Sequence, residues 1–309
     1  MVEKGFFLKK FIFGSITRKL FLGLFELAFL VILVSAVSLF FRQVDFENHL
    51  VEQVEEAQND FLTLETGDTI MLSAALETFL QNESFKEIYL EKDREKLFLF
   101  GQPLFQELKE KYGITHFYFI LPDGRNFVRL HNKDIFGDQI TRITLQKVME
   151  TGKEASGLEL GKTAFALRVV KPYYDEGQLI GYVEFGQEIG HFLHALKENS
   201  NSQFYIIVEK KYFNHEDWSS VRESAGLQDN WDDLQAHLIL STTLLSSEPL
   251  ESCFVSENVA AAEKKASIFK QVSKGGKSFA CGGFPITDAG GNKVGVVFSL
   301  IDITETVNF

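Results

Sequence analysis

The chain has 309 residues, 45% of them hydrophobic, with 31 phenylalanines and a formal net charge of −12. That length and apolar content suffice for about two folded domains and argue against disorder. The acidic balance argues against a nucleic-acid binder, which needs a basic face to offset phosphate charge.

Leu20–Phe41 reads LFLGLFELAFLVILVSAVSLFF, with a single ionisable group, Glu26. A bilayer core takes about 20 such residues as a helix, so residues 20–41 are expected to span a membrane. Glu26 falls toward the cytoplasmic end, where a carboxylate costs less than at the centre. Lys4, Lys9, Lys10, Arg18 and Lys19 precede the segment, and Asp45, Glu47, Glu52, Glu55 and Glu56 follow Arg42. Positive charge stays inside, which puts residues 1–19 in the cytoplasm and the rest outside the inner (plasma) membrane. A cleaved signal peptide is the competing reading, with Ala36-Val37-Ser38 as a cleavage-like site. The apolar run continues past it through Leu39-Phe40-Phe41 and exceeds the usual h-region of about 7–15 residues. With no second stretch of this kind, the expected topology is single-pass.

Residues 43–64 predict a helix, because Phe46, Leu50, Val54, Ala57 and Phe61 recur at spacings of three and four with acids opposite. Ile70–Leu80 and Leu104–Tyr112 repeat that period. Strand-like runs follow. His116–Leu121 and Asn126–His131 flank the turn Pro122-Asp123-Gly124, and Ala164–Lys171 and Gln178–Gln187 flank Pro-Tyr-Tyr-Asp-Glu-Gly. Helix-like Ile189–Lys197 precedes the strand-like runs Gln203–Val208, His237–Ser241, Ser278–Phe284 and Lys293–Ile301. The last pair echoes the earlier hairpin about 114 residues on: Pro172 matches Pro285, Asp175 matches Asp288, Gly181 matches Gly295, Val183 matches Val297, and Glu188-Ile189 matches Asp302-Ile303. Two copies of one small α+β unit would give this, whereas two unrelated hairpins would share only turn chemistry.

The anchor followed by a long acidic helix, the run YGITHFYFILPDGRNFVRLHNKDIFGD (Tyr112–Asp138), the repeated hairpin and the closing VGVVFSLIDITE (Val294–Glu305) resemble the double Cache family. These are tandem PAS-like sensor domains of bacterial chemoreceptors, which serve chemotaxis, and of two-component sensor histidine kinases. The resemblance implies an α+β fold: a transmembrane helix, a long membrane-proximal helical region over residues 42–80, then PAS-like modules over 81–200 and 201–305 with antiparallel sheets, and a short end at 306–309. Family members usually continue into a second membrane helix and an output domain. No kinase, methyl-accepting or cyclase motif occurs here, which fits either a fragment or a short sensor acting through a partner.

By that resemblance the ligand sits against the sheet of the first module. Arg129 and His131 are two apart on a predicted strand and share a face. Arg168 lies on a neighbouring strand, with Lys171 and Tyr173 where it enters its turn, and Tyr118 and Asp138 shape the same pocket. Such cations and aromatics suit a small carboxylate, which an arginine grips with two hydrogen bonds. The competing reading is a solvated strand face with a structural Arg–Asp pair. Glu188, His191 and His194 have helical spacing that could face a metal, but so closely spaced a set rarely closes a site, and an amphipathic helix explains it as well. No cofactor is expected. Cys253 and Cys281 are open between a disulfide, which an exported location permits, and two buried thiols. Gly275-Gly276-Lys277-Ser278 lacks the earlier glycine of a phosphate loop and reads as a tight turn. Trp218 and Trp231 are expected to pin a long loop to a domain surface. The function expected is ligand sensing by a membrane-anchored homodimer or by a chain with a membrane signalling partner. An anchored hydrolase lacks a nucleophile–base pair here, and an envelope assembly protein is the third reading.

Overall fold

The computed structural model describes the backbone of residues 3–161, 164–200, 202–224, 226–244, 253 and 256–307, with side chains described from residue 20 apart from 256, 274 and 307. The chain divides into two compact units, Met1–Glu52 and Gln53–Phe309. Helix α1 spans Glu3–Leu80. In the first unit its residues 20–41 are exposed throughout, and this is the one helix among the described residues long and apolar enough to cross a membrane.

In the second unit α1 buries Val54, Ala57, Phe61, Leu72, Leu76 and Phe79 at spacings of three and four. Phe61 packs edge-on between Phe192 and Phe284, with ring centroids 5.2 and 5.8 Å away, and Phe79 lies 4.9 Å from Phe117. Each such aromatic is worth about 1.5–3 kcal/mol on burial. Two short helices follow, α2 (Glu83–Leu90) and α3 (Arg94–Tyr112). Asn82 and Asp93 cap them, accepting from Phe85 N–H and Lys96 N–H at 3.3 and 3.0 Å, which satisfies orphan donors of the first turn. α3 extends further back than the apolar period from Leu104 suggests, carrying Pro103 inside it.

Ten strands form two sheets with one topology. β1 (His116–Ile120), β2 (Asn126–Arg129), β3 (Ala155–Leu160), β4 (Phe165–Asp175) and β5 (Gln178–Glu188) pair in the order β2-β1-β5-β4-β3. β6 (Ser202–Glu209), β7 (His237–Thr242), β8 (Ser267–Lys274), β9 (Lys277–Thr287) and β10 (Lys293–Asp302) pair in the matching order β7-β6-β10-β9-β8. All neighbours are antiparallel. The repeated hairpin is therefore β4–β5 in one sheet and β9–β10 in the other. β4 runs on through Pro172-Tyr173-Tyr174-Asp175, which the sequence reads as turn. Pro172 and Pro285 sit inside these strands paired on one side only, with β5 and β10, because pairing with the outer strand stops at Val170 in β4 and at Gly283 in β9; a one-sided position of this kind is where strands tolerate proline.

The remaining helices are α4 (Ile143–Thr151), α5 (Gly190–Asn199), α6 (His215–Ser224), α7 (Ser256–Ala262) and α8 (Thr304–Val307). Helix α6 buries Trp218, whose indole N–H reaches Asn230 at 3.2 Å, while Trp231 stacks on His215. Trp218 thus pins this segment, since Asn230 also donates to Ile239 O of β7 at 2.9 Å, while the Trp231–His215 contact lies within the segment itself. The glycines of Gly275-Gly276, with φ of 60° and 79°, make the β8–β9 turn. Cys253 and Cys281 form a disulfide inside the apolar core of the second sheet. The modules meet where Ala289, in the β9–β10 turn, donates its N–H to Leu158 O at 2.8 Å on the outer strand β3.

Candidate ligand site

Register places a set of polar side chains on the face of the first sheet turned away from α1. Tyr118 of β1 stands opposite Arg129 of β2 on one side and Glu184 of β5 on the other. Two residues along, His116 and Arg168 both stand opposite Gly186. Alternation along a strand puts all of these on one face. At Gly186 a Cβ would lie 3.1 Å from His116 Cβ and 3.4 Å from Arg168 Nη1, so glycine lets the arginine lie across the sheet. The loop from Leu130 to Arg142, with helix α4, covers this face, and Ile140, Leu145 and Val148 pack on Tyr118 and Ile120.

The charges are tightly arranged. Glu184 is buried and bridges two guanidiniums, accepting from Arg142 at 2.6 Å and from Arg168. Arg129 grips Asp138 with two bonds of 2.7 Å and also donates to Ile135 O at 2.7 Å, which pins the covering loop. Bidentate, charge-assisted pairs of this kind are the strong ones. Arg142, Arg129 and Arg168 surround the Tyr118 ring at 4.7, 5.1 and 5.7 Å from its centroid, within cation–π range. His131 lies 4.8 Å from Tyr118 and 4.9 Å from His116. The Nε atoms of Arg142 and Arg168 are buried without a hydrogen-bond partner, so two donors remain unspent where almost all buried donors are satisfied. Glu159 of β3 accepts from Thr144 N–H at 2.7 Å and fixes the start of α4 beside Arg142.

Protonation follows from these surroundings. Burial pushes the Glu184 carboxyl up, but Arg142 and Arg168 outweigh it and hold it below its ordinary range. Hydrogen bonding to Arg129 holds Asp138 low. Burial, together with the nearby guanidiniums, lowers His131 to about 4 and His116 well below its ordinary value. At neutral pH both imidazoles are therefore uncharged.

A family profile described as "Double sensory domain of two-component sensor kinase" matches residues 64–307. The chain belongs to the double Cache family of sensory domains. Solved structures to which the chain is similar include the periplasmic domain of Vibrio cholerae LuxQ, 14% identical, covering 81% of this chain and 99% of that one with a TM-score of 0.47. The ligand-binding domain of the Campylobacter jejuni chemoreceptor Tlp3 in complex with L-valine is 10% identical, covering 86% and 95% with a TM-score of 0.46. The sensor domain of the V. cholerae histidine kinase DctB is 8% identical, covering 83% and 97% with a TM-score of 0.45. Among curated protein sequences, none matches the chain at a significant level.

The two Cache modules differ sharply on this face. Matching β4–β5 to β9–β10 sets Arg168 against Cys281 and Glu184 against Phe298, and matching pairings set Tyr118 against Tyr205. In the second module that face is an apolar cluster of Tyr205, Val296, Phe298, Leu300 and the disulfide. Only the first module carries buried charge there among the described residues.

The geometry brings Tyr118, Arg129, His131, Asp138 and Arg168 together, and adds Arg142, Glu184 and His116 to the set. It separates two residues that sequence reasoning grouped with them. Lys171 is three residues from Arg168 and so lies on the opposite face, bonded to Glu77 of α1 at 2.7 Å and to Glu154 at 2.9 Å. Tyr173 shares that helix-side face and packs on Tyr89 of α2, 5.7 Å away. Glu188, His191 and His194 do not converge: His191 turns its Nε2 to Asp68 of α1 at 2.8 Å and its Nδ1 to Glu188 O at 3.0 Å.

Proposed function

We propose that the chain is the sensory part of a membrane-anchored signalling receptor that binds a small carboxylate-bearing molecule over the Tyr118 face of its first module. The observation that carries this reading is the contrast between sister modules. One face holds a buried Arg142–Glu184–Arg168 bridge with unspent donors, and the matching face is apolar. Burying such charge is costly, and an apolar replacement of similar volume is often neutral or stabilising, so its presence on one copy alone fits a ligand-binding role. An acceptor-bearing ligand would meet the Nε–H donors of Arg142 and Arg168 beside the Tyr118 ring, while Arg129 and Asp138 hold the loop over it. On this reading residues 1–19 are cytoplasmic, 20–41 cross the inner membrane once, and 81–200 and 201–305 are the exported modules. Pairing of two copies through residues 43–64 would let ligand binding bias the anchor helix, by as much as its affinity differs between the two states.

The matching family is one of sensory domains, and the site is accordingly read as a binding site. The test is thermal-shift screening of the full chain in detergent against small acids, amines and sugars. A selective rise in melting temperature for an acid is expected, about 2.7 kcal/mol of stabilisation at a hundredfold excess over Kd. Arg129→Ala should remove that rise while the fold persists. A ligand whose affinity is unchanged by Arg129→Ala in calorimetry would refute the placement.

A further inference from the structure

Matched positions of the two modules also differ beneath α1. In the first module the helix-side face is filled by Phe117, Val169 and Phe185, adjacent across β1, β4 and β5. Phe185 packs on Phe117 at 4.6 Å and meets Phe79 of α1 at 5.9 Å. The corresponding residues of the second module are Phe204, Gly282 and Ser299, again adjacent across their strands. Val54 of α1 closes over Gly282, where a Cβ would lie only 2.7 Å from Val54 Cγ2. Over Ser299 the phenyl ring of the sister module has no counterpart. A cavity of about 250 Å³ lies there.

The chemistry of its walls is one-sided. Its lining includes the oxygen-bearing residues Glu56 and Asp60 of α1, Asn199 of α5, and Ser202 and Ser299 of the sheet, and none of the lining residues is lysine, arginine or histidine. Glu56 and Asp60 lie four apart on one helical face, where like charges repel, and neither forms an ion pair among the described residues. Ser299 is 1% exposed, and its hydroxyl has no hydrogen-bond partner.

We propose that this cavity is a calcium site. Ca²⁺ takes six to eight oxygen ligands in flexible geometry, whereas Mg²⁺ demands a near-ideal octahedron. Two carboxylates supply the charge, the Ser299 hydroxyl and the Asn199 amide oxygen supply neutral ligands, and water completes the shell. Two carboxylates at a partly exposed site give the weak affinity of extracellular modules, a Kd of about 10⁻⁴–10⁻³ M. A bound ion would relieve the repulsion on α1 and tie that helix to the sheet of the second module. This site does not depend on what the first module binds.

The test is thermal unfolding of the full chain in detergent, followed by far-UV circular dichroism during titration with CaCl₂, MgCl₂ or NaCl at matched ionic strength. Calcium should raise the melting temperature saturably, with a midpoint near about 10⁻⁴–10⁻³ M, and magnesium should raise it less. The double variant Glu56→Gln/Asp60→Asn alters two exposed side chains, so it should fold and lose the calcium response. Ser299→Phe, which installs the ring of the sister module, should fold and be equally unresponsive. The proposal is overturned if calcium gives no specific rise in the unmodified chain, or if the double variant responds as strongly as that chain.

Discussion

Replacing Glu184 by glutamine keeps the shape of the side chain and removes its charge. The residue is fully buried and bridges Arg142 and Arg168, whose side chains are 20% and 4% exposed. The substitution leaves two guanidiniums facing each other with no anion between them. Removing one partner of a buried pair costs about 3–5 kcal/mol. At about 2–4 °C per kcal/mol for a domain of this size, the melting temperature should fall by roughly 6–20 °C. Differential scanning calorimetry of the full chain in detergent reads this directly. The triple variant Arg142→Met/Arg168→Met/Glu184→Leu approximates the apolar face of the second module. It should recover most of the loss, since apolar replacements of buried ion pairs are often neutral or better. A glutamine variant that melts within about 2 °C of the parent, less than about 1 kcal/mol, would show that Glu184 is not anchoring the arginines, and the electrostatic reading of the site would fail.

Stability should also depend on pH through His131. Its folded pKa of about 4 lies below its ordinary 6.5, so between those values the unfolded chain binds more protons than the folded one, and stability rises with pH across the window and is complete above it. The effect is roughly 1–3 kcal/mol after allowance for partial exposure. Urea titrations from pH 4 to pH 7 should show the slope, and His131→Asn should reduce it while leaving the part that His116 contributes; a slope unchanged by that substitution refutes the assignment. Reduction of Cys253–Cys281, which closes a loop with a sequence separation of 28, should cost roughly 3–4 kcal/mol, visible as a lower melting temperature in dithiothreitol. Equal melting with and without reductant would contradict a structural role for the bridge.

Much of this architecture is legible in the residues. The apolar period of α1 and the Pro–Asp–Gly pattern shared by the two hairpins foretell a long helix and a duplicated sheet. β3 and β8 are less legible. Ala155–Leu160 carries Gly157 and alternates weakly, because an outer strand needs little apolar patterning to pair on one side. Within the site, Tyr118, Arg129, Asp138 and Arg168 share one run or one strand face, so their types and spacing signal them. Lys171 falls on the opposite face, and the sequence carries the signal, since an odd separation from Arg168 along one strand fixes it. Glu184 could have been found by the repeat, being an acid where the second copy has Phe298. Arg142 carries no such mark: it enters through the path of a loop, which local pattern does not encode.

Hydrogen exchange with and without a ligand identified by the thermal-shift screen reads, segment by segment, where that ligand sits. Slowed exchange is expected in His116–Tyr118, in the loop from Leu130 to Arg142 and around Arg168 and Glu184, with none over Tyr205 and Phe298. Protection confined to the second module, or absent from the Arg129–Asp138 loop, would contradict binding over the Tyr118 face.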